Sequence, residues 1–319
     1  MSGDDAIMSL KGEKMEEKET SRDLSSGRNM KENREGMQGK SCLITGGNSG
    51  IGKATALSLA AMDASIILVC RDKQRGETAQ KDIIQETGNS NVDLLVADLS
   101  VQHSIRTLVE EITSSYQLLD VLINNAGVHH LRRQETSDGY EANFAVNYLA
   151  PFLLTNLLLD HLKASAPSRI INVSSRLIHQ ATLEFDDLQH RRDYPILKTG
   201  SLAYCQSKLA LTLFTYELAK RLQGSRVTVN CYCPGWTRTG LMEGELRPLS
   251  HRLMSKVFAK RPEVGARTGV FLASSATVKA ISGRFFEDCK EKPEFQSCYK
   301  PSVSQRLWSV SEDLTHLHG

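Results

Sequence analysis

The sequence predicts an α/β protein, a doubly wound parallel sheet in a single domain. Three observations predict it. From Lys40 onward, short apolar segments alternate with amphipathic ones, the rhythm of strand and crossover helix. The apolar segments are nearly continuous rather than alternating, as strands covered on both faces are. A glycine run, T-G-G-N-S-G-I-G from Thr45 to Gly52, lies between the first strand and the first helix. In such a sheet ligands bind beyond the carboxyl ends of the strands, and the polar motifs fall there.

The elements follow in order. Residues 1–37 carry dense charge of both signs and almost no apolar periodicity, so they are expected to be disordered. Their acids, among them Asp4, Asp5, Glu13, Glu16, Glu17 and Glu19, set them apart from an Arg-rich, acid-poor presequence. Residues 38–319 form the expected domain. Strands are expected at Ser41 to Ile44, Ser65 to Cys70, Val92 to Ala97, Val121 to Asn124, Arg169 to Val173, Val227 to Cys233 and Ile281 to Phe286. Helical patterns open at Lys53 and cover roughly 140–163 and 202–222. The last two carry more apolar residues than one sheet contact needs, notably Phe152 to Leu154 and Leu157 to Leu159. Residues 176–200 and 240–262 read as additions to the basic sheet.

Composition narrows the function classes. A chain of 319 residues with 40% hydrophobic residues can bury one large core. A net charge of +2 gives no reason to invoke nucleic acid. The longest apolar runs fall short of a membrane span. Seven cysteines without a secretory signal read as reduced core residues, and Cys231 and Cys233 have no His or Cys pair at zinc-finger spacing, so no metal is expected. Cytoplasmic residence is the expectation, with peripheral membrane association left open.

The chemistry-bearing residues point to nicotinamide-dependent redox catalysis. Tyr204 and Lys208, in Y-C-Q-S-K, share a helix face, where an ammonium stabilises a deprotonated phenol. In the glycine run, Gly46 permits the tight turn, Gly50 lets backbone approach a pyrophosphate and Gly52 lets the helix pack on the strand, with the helix N-terminus toward the phosphates. The second strand ends in Cys70 and Arg71, where an NAD enzyme places an acid, so NADP(H) is favoured; the alternative has Asp72 holding the ribose. Pro151 lacks the N–H that would bond the Asn147 carbonyl, which leaves that oxygen able to hold a relay water.

In order and spacing, the glycine run, Asp98-Leu99-Ser100, Asn124 to Gly127, Ser174-Ser175, Tyr204 to Lys208, and Pro234-Gly235 with Thr239 resemble the short-chain dehydrogenase/reductase family. The segments around Ser282 to Phe286, Cys289 and Leu307 to Ser311 resemble its retinol-dehydrogenase-like branch. The resemblance implies a catalytic set of Asn147, Ser175, Tyr204 and Lys208. Ser175 would bond the substrate oxygen, Tyr204 would exchange the proton, and Lys208 would bind the nicotinamide ribose and lower the phenol pKa. It further implies cofactor contacts at Gly46, Asn48, Ser49, Gly50, Ile51, Gly52, Arg71, Asp98, Leu99, Asn125, Ala126, Gly127, Pro234, Gly235 and Thr239. Ser174 is the rival to Ser175, but strand alternation points it to the opposite face. In this family the two apolar helices meet a second subunit, which makes a homodimer an expectation.

The substrate side is less defined. The long stretch between Ser175 and Tyr204 reads as a solvated lid at the entrance. His129 and His130 border either substrate or solvent, and Leu241 to Ala259 either covers an apolar ligand or packs as a surface helix. The sequence therefore points to an NADP(H)-dependent oxidoreductase acting on apolar alcohols and their aldehydes or ketones, retinol and retinal among them. Hydroxysteroids or xenobiotic carbonyls are the alternative substrates. A non-catalytic NADP(H)-sensing or scaffold protein is the alternative of another class.

Overall fold

The computed structural model describes residues 36–197, 200–237 and 260–317. Five apolar segments become the strands β1 (Ser41–Thr45), β2 (Ser65–Cys70), β3 (Val92–Val96), β4 (Val121–Asn124) and β5 (Ser168–Val173). A sixth, Val227–Cys233, is β8, because a small antiparallel pair, β6 (Ile196–Leu197) and β7 (Gly200–Ser201), intervenes. The main sheet runs β10-β9-β8-β5-β4-β1-β2-β3. All its pairings are parallel except that of β9 (Phe285–Glu287) with β10 (Lys290–Glu291), an antiparallel edge the sequence did not announce. Strand order reverses between β1 and β4, which opens a crevice at their carboxyl ends.

Two apolar layers sandwich the sheet. On one face lie α1 (Gly50–Ala60), α2 (Lys73–Thr87) and α8 (Pro262–Ser274), through Ala56, Leu59, Ile83 and Leu272. Met37, grouped by composition with the charged N-terminal segment, is 2% exposed in this same layer. The opposite face holds α3 (Gln102–Ser115), a segment starting at Ala142, and α7 (Leu202–Arg221).

The segment expected as one helix over 140–163 is broken. It comprises α4 (Ala142–Phe144), a π turn (Ala145–Leu149), α5 (Ala150–Leu157) and α6 (Leu159–Ala164). Pro151 supplies no N–H, and the backbone answers by widening one turn: Ala150 N bonds Ala145 O, five residues back.

The apolar excess on α5 and α7 also finds its cover within the chain. The helix α9 (Pro301–Thr315) lays Leu307 and Trp308 across them. The Trp308 ring lies 5.1 Å from that of Phe152 and 5.7 Å from that of Phe214, with the Arg221 guanidinium 3.9 Å over its face. Tyr148 and Ser311 share a buried hydroxyl bond of 2.6 Å. The observation behind the homodimer expectation, helices apolar all round, is thus accounted for by α9.

Residues 176–197 turn their charges outward as expected of a solvated segment, Glu184, Asp186, Arg191, Arg192 and Asp193 being exposed, but they are anchored beneath. Ile178, Leu188 and His190 are buried, and Gln189 and Tyr194 reach back to the start of α4. Their anchor is Glu141, a fully buried carboxylate that accepts from the N–H groups of Asn143 and Phe144. The Tyr194 hydroxyl accepts from Asn143 Nδ2 at 2.7 Å and lies 3.1 Å from both Glu141 Oε1 and His130 O. Buried charge is stable only with such a set of donors.

Candidate active site

A cleft of ≈ 1090 Å³ opens along the carboxyl ends of β1, β2, β4, β5 and β8. Gly46, Asn48, Ser49, Gly50, Ile51, Gly52, Arg71, Asp98, Leu99, Asn125, Ala126, Gly127, Ser175, Tyr204, Lys208, Pro234 and Gly235 all line it. Asn147 is fully buried behind it. Thr239, and the segment from Leu241 to Ala259, lie outside the described residues.

At the glycine end the backbone dictates the residue types. Gly46 and Gly50 hold φ of 66° and 53°, the left-handed region that a side chain disfavours. A Cβ on Gly52 would lie 2.3 Å from Gly46 O and 2.5 Å from Asn125 Nδ2, so only glycine lets α1 seat on the turn. Ser49 is extended and makes no side-chain cap to α1, which leaves the first-turn N–H groups available at the cleft. This cradle fits the pyrophosphate of a dinucleotide.

Thr45 Oγ accepts from both Asn125 N and Ala126 N at 3.0 Å, and Asn125 Nδ2 donates to Thr45 O at 2.8 Å. The Asn125 amide thus locks β4 to the glycine turn. Thr45 opens the glycine run in the sequence, but its locking role shows only as a polar residue ending an apolar strand.

Arg71 stands exposed at the end of β2. Asp72 is the N-cap of α2, its Oδ1 accepting from Arg75 N at 3.0 Å, so one of its carboxylate oxygens already serves the helix. Asp98 Oδ1 accepts from Ser100 N and Oγ, which fixes the carboxylate beside β3.

At the other end α7 carries Tyr204 and Lys208 one turn apart, both buried. Lys208 Nζ donates to Val173 O at 2.8 Å and lies 6.0 Å from the Tyr204 ring centroid. Burial pulls its pKa down from the usual lysine value to about 8. Ser174 turns its hydroxyl to Thr212 Oγ at 2.7 Å, into α7. Ser175 Oγ instead accepts from Leu177 N at 3.2 Å, which orients its own O–H to donate elsewhere.

Asn147 is tied by its side chain. Its Oδ1 accepts from Val128 N at 2.8 Å, and its Nδ2 donates to Val128 O at 2.9 Å and to Ser207 Oγ at 3.0 Å. It joins the loop after β4 to the helix carrying Tyr204 and Lys208. Next to Ser175, Arg176 Nε grips both oxygens of buried Glu287, at 2.6 and 2.8 Å. Neither residue of that pair had been singled out, because β9 brings Glu287 there from 111 positions away.

This sheet, crevice and set of side chains define a dinucleotide-type α/β oxidoreductase. The chain belongs to the short chain dehydrogenase family, which it matches over residues 40–185 and 197–248. It is 45% identical over 290 residues to retinol dehydrogenase 14 of Mus musculus, covering 86% of each chain. Retinol dehydrogenase 13 of Homo sapiens is 44% identical over 288 residues, covering 88% of this chain and 85% of that one. Among solved structures, L-sorbose reductase of Gluconobacter frateurii, complexed with NADPH and L-sorbose, superposes with a TM-score of 0.64 at 25% identity, covering 79% of this chain and 95% of the other. The resemblance to the retinol-dehydrogenase-like branch is borne out, and the protein is an oxidoreductase acting on CH–OH donors.

Proposed function

We propose that this protein is an NADP(H)-dependent oxidoreductase interconverting apolar alcohols and their carbonyl partners, with retinoid-like substrates. The observation that carries the reading is the buried Tyr204 and Lys208 pair, held one turn apart beside Ser175 at the end of a cleft whose other end is the glycine cradle. Its relatives named retinol dehydrogenase support the substrate class, and the NADPH in the L-sorbose reductase structure supports the cofactor. Arg71 favours the 2′-phosphate, since Asp72 is engaged as a helix cap.

The glycine cradle, Arg71, Asp98 and the Asn125 to Gly127 turn would hold the nicotinamide cofactor, which when bound would supply or accept the hydride. The residues manage the oxygen and its proton. In reduction, Ser175 donates a hydrogen bond to the carbonyl oxygen and Tyr204 delivers the proton; in oxidation, the phenolate takes it back. Below pH 8 Lys208 is an ammonium, and its charge near the phenol stabilises the phenolate. Val173 O keeps Nζ on that side of the helix. Asn147 fixes the helix and loop to each other, and its carbonyl remains the proposed seat of a relay water.

The test is titration with NADPH and NADH, then nicotinamide absorbance with retinal, medium-chain aldehydes, steroid ketones and quinones, beside Tyr204→Phe. We expect tighter NADPH binding, and loss of about 10²–10⁴-fold in turnover on removing the phenol hydroxyl. Preference for NADH would overturn the role of Arg71. NADPH binding without turnover on any substrate would favour a sensor.

A further inference from the structure

His129 lies two residues beyond Gly127, in the loop leaving β4. Its ring is stacked on that of Tyr204, with centroids 4.1 Å apart and planes 21° from parallel. Its Nε2 accepts a hydrogen bond from Ser201 N at 3.3 Å. Ser201 is the N-cap of α7, and its Oγ accepts from Tyr204 N at 3.3 Å. One imidazole therefore touches both the reactive side chain and the residue that starts its helix.

The protonation state follows from the donor. A backbone N–H can only donate, so the Nε2 lone pair is used and the ring proton sits on Nδ1, in the neutral imidazole. Protonating Nε2 would break the bond to Ser201 and place a cation against the phenol face. Among the described residues, the ionisable groups at this turn are Tyr204, stacked on the ring, Lys208 one helical turn beyond it, and His130 on the same loop, with Glu141, Tyr194 and Arg71 acting on His130. Burial pushes His130 below the usual histidine value, so it brings no cation to this loop at neutral pH.

We propose that His129 is a positioning residue for Tyr204. By stacking on the phenol and anchoring Ser201, the neutral imidazole holds the ring in the one orientation that presents its hydroxyl to the substrate oxygen. A phenol on a helix has two soft side-chain torsions; a flat wall at 4.1 Å removes the freedom to swing toward the loop. Misplacing a proton donor by an ångström costs on the order of 10²-fold in rate, so a wall of this kind has a kinetic consequence. The proposal rests on Tyr204 acting as the proton donor, as set out above.

The experiment compares the wild type with His129→Ala, which loses stack and acceptor, His129→Gln, which keeps an acceptor, and His129→Phe, which keeps the stack. Each is measured for retinal-dependent NADPH oxidation from pH 5.5 to 8.5, for NADPH binding by fluorescence, and for melting temperature. We expect kcat of His129→Ala to fall about tenfold or more, with NADPH affinity within about twofold. His129→Phe should recover most of that loss and His129→Gln less. The wild type should lose kcat on the acid side as Nε2 is protonated, a limb that His129→Phe lacks. An unchanged kcat in His129→Ala, or superimposable acid limbs for wild type and His129→Phe, overturns the proposal. Parallel loss of melting temperature and NADPH affinity in His129→Ala, unrecovered in His129→Phe, assigns the residue to the fold instead. A wild type that oxidises no NADPH with any substrate brings down the oxidoreductase reading; an active wild type with an indifferent His129 brings down only this one.

Discussion

The two ends of the cleft are built by opposite means. At the cofactor end, backbone does the shaping: Gly46, Gly50 and Gly52 within seven residues make the cradle, and Thr45 and Asn125 lock it to the neighbouring strand. At the substrate end, side chains far apart in sequence do it. Glu141 holds Gln189 and Tyr194, Glu287 holds Arg176, and α9 covers α5 and α7. The first kind of site is a local property of the chain. The second exists only after the whole sheet has assembled, and its shape can change without touching the cofactor.

That contrast sets the expected ranking of perturbations. Trp308→Ala removes the largest side chain clamping α7 from the distal side, and should cost about 3–5 kcal/mol in denaturant unfolding. The folded fraction should still bind NADPH with near-normal affinity; an affinity loss as large as the stability loss would break the contrast. Gly52→Ala does the reverse. Its Cβ meets Gly46 O at 2.3 Å, so the strain of about 1–3 kcal/mol falls on the cradle, and NADPH titration should show at least a tenfold weaker complex.

Tyr194→Phe removes one buried hydroxyl from Asn143 Nδ2 and Glu141 Oε1, which keep their bonds to each other and to backbone N–H groups, a cost of about 0.5–1.5 kcal/mol. Steady-state kinetics should then show a raised KM for the carbonyl substrate with the NADPH constant little changed. The last effect is one of pH, and it touches stability alone. Lys208 has a folded pKa of about 8, depressed below its unfolded value, so between these the unfolded chain binds the extra proton and stability rises with pH. At most this amounts to about 1.4 kcal/mol per pH unit. Urea titrations at pH 8 and 10 should show that rise in the wild type relative to Lys208→Met, in which it is missing.

What the sequence disclosed divides along the same line. The strand, glycine turn and helix were legible because positive φ and a 2.3 Å approach admit one residue type, and Tyr204 and Lys208 because a helical period places them on one face. The widened turn at Ala145–Leu149 was half legible: Pro151 announced a missing donor, yet not that the turn before it would widen, with Ala150 N reaching Ala145 O. Residues 176–197 were legible in part: their charges are exposed as expected, while the anchoring of Gln189 and Tyr194 depends on Glu141, about 50 positions away. The apolar excess of α5 and α7 was read correctly as double burial, but periodicity cannot say whether the second cover is another subunit or Trp308.

The place of α9 in the chain has a consequence for biogenesis. Tyr204 and Lys208 are synthesised about 90 residues before Pro301, a lag of roughly 5–20 s at 5–20 residues per second. Throughout that interval the helix bearing them leaves the ribosome with one apolar flank bare. The helix carrying the reactive pair therefore completes its packing only after Pro301–Thr315 has been made.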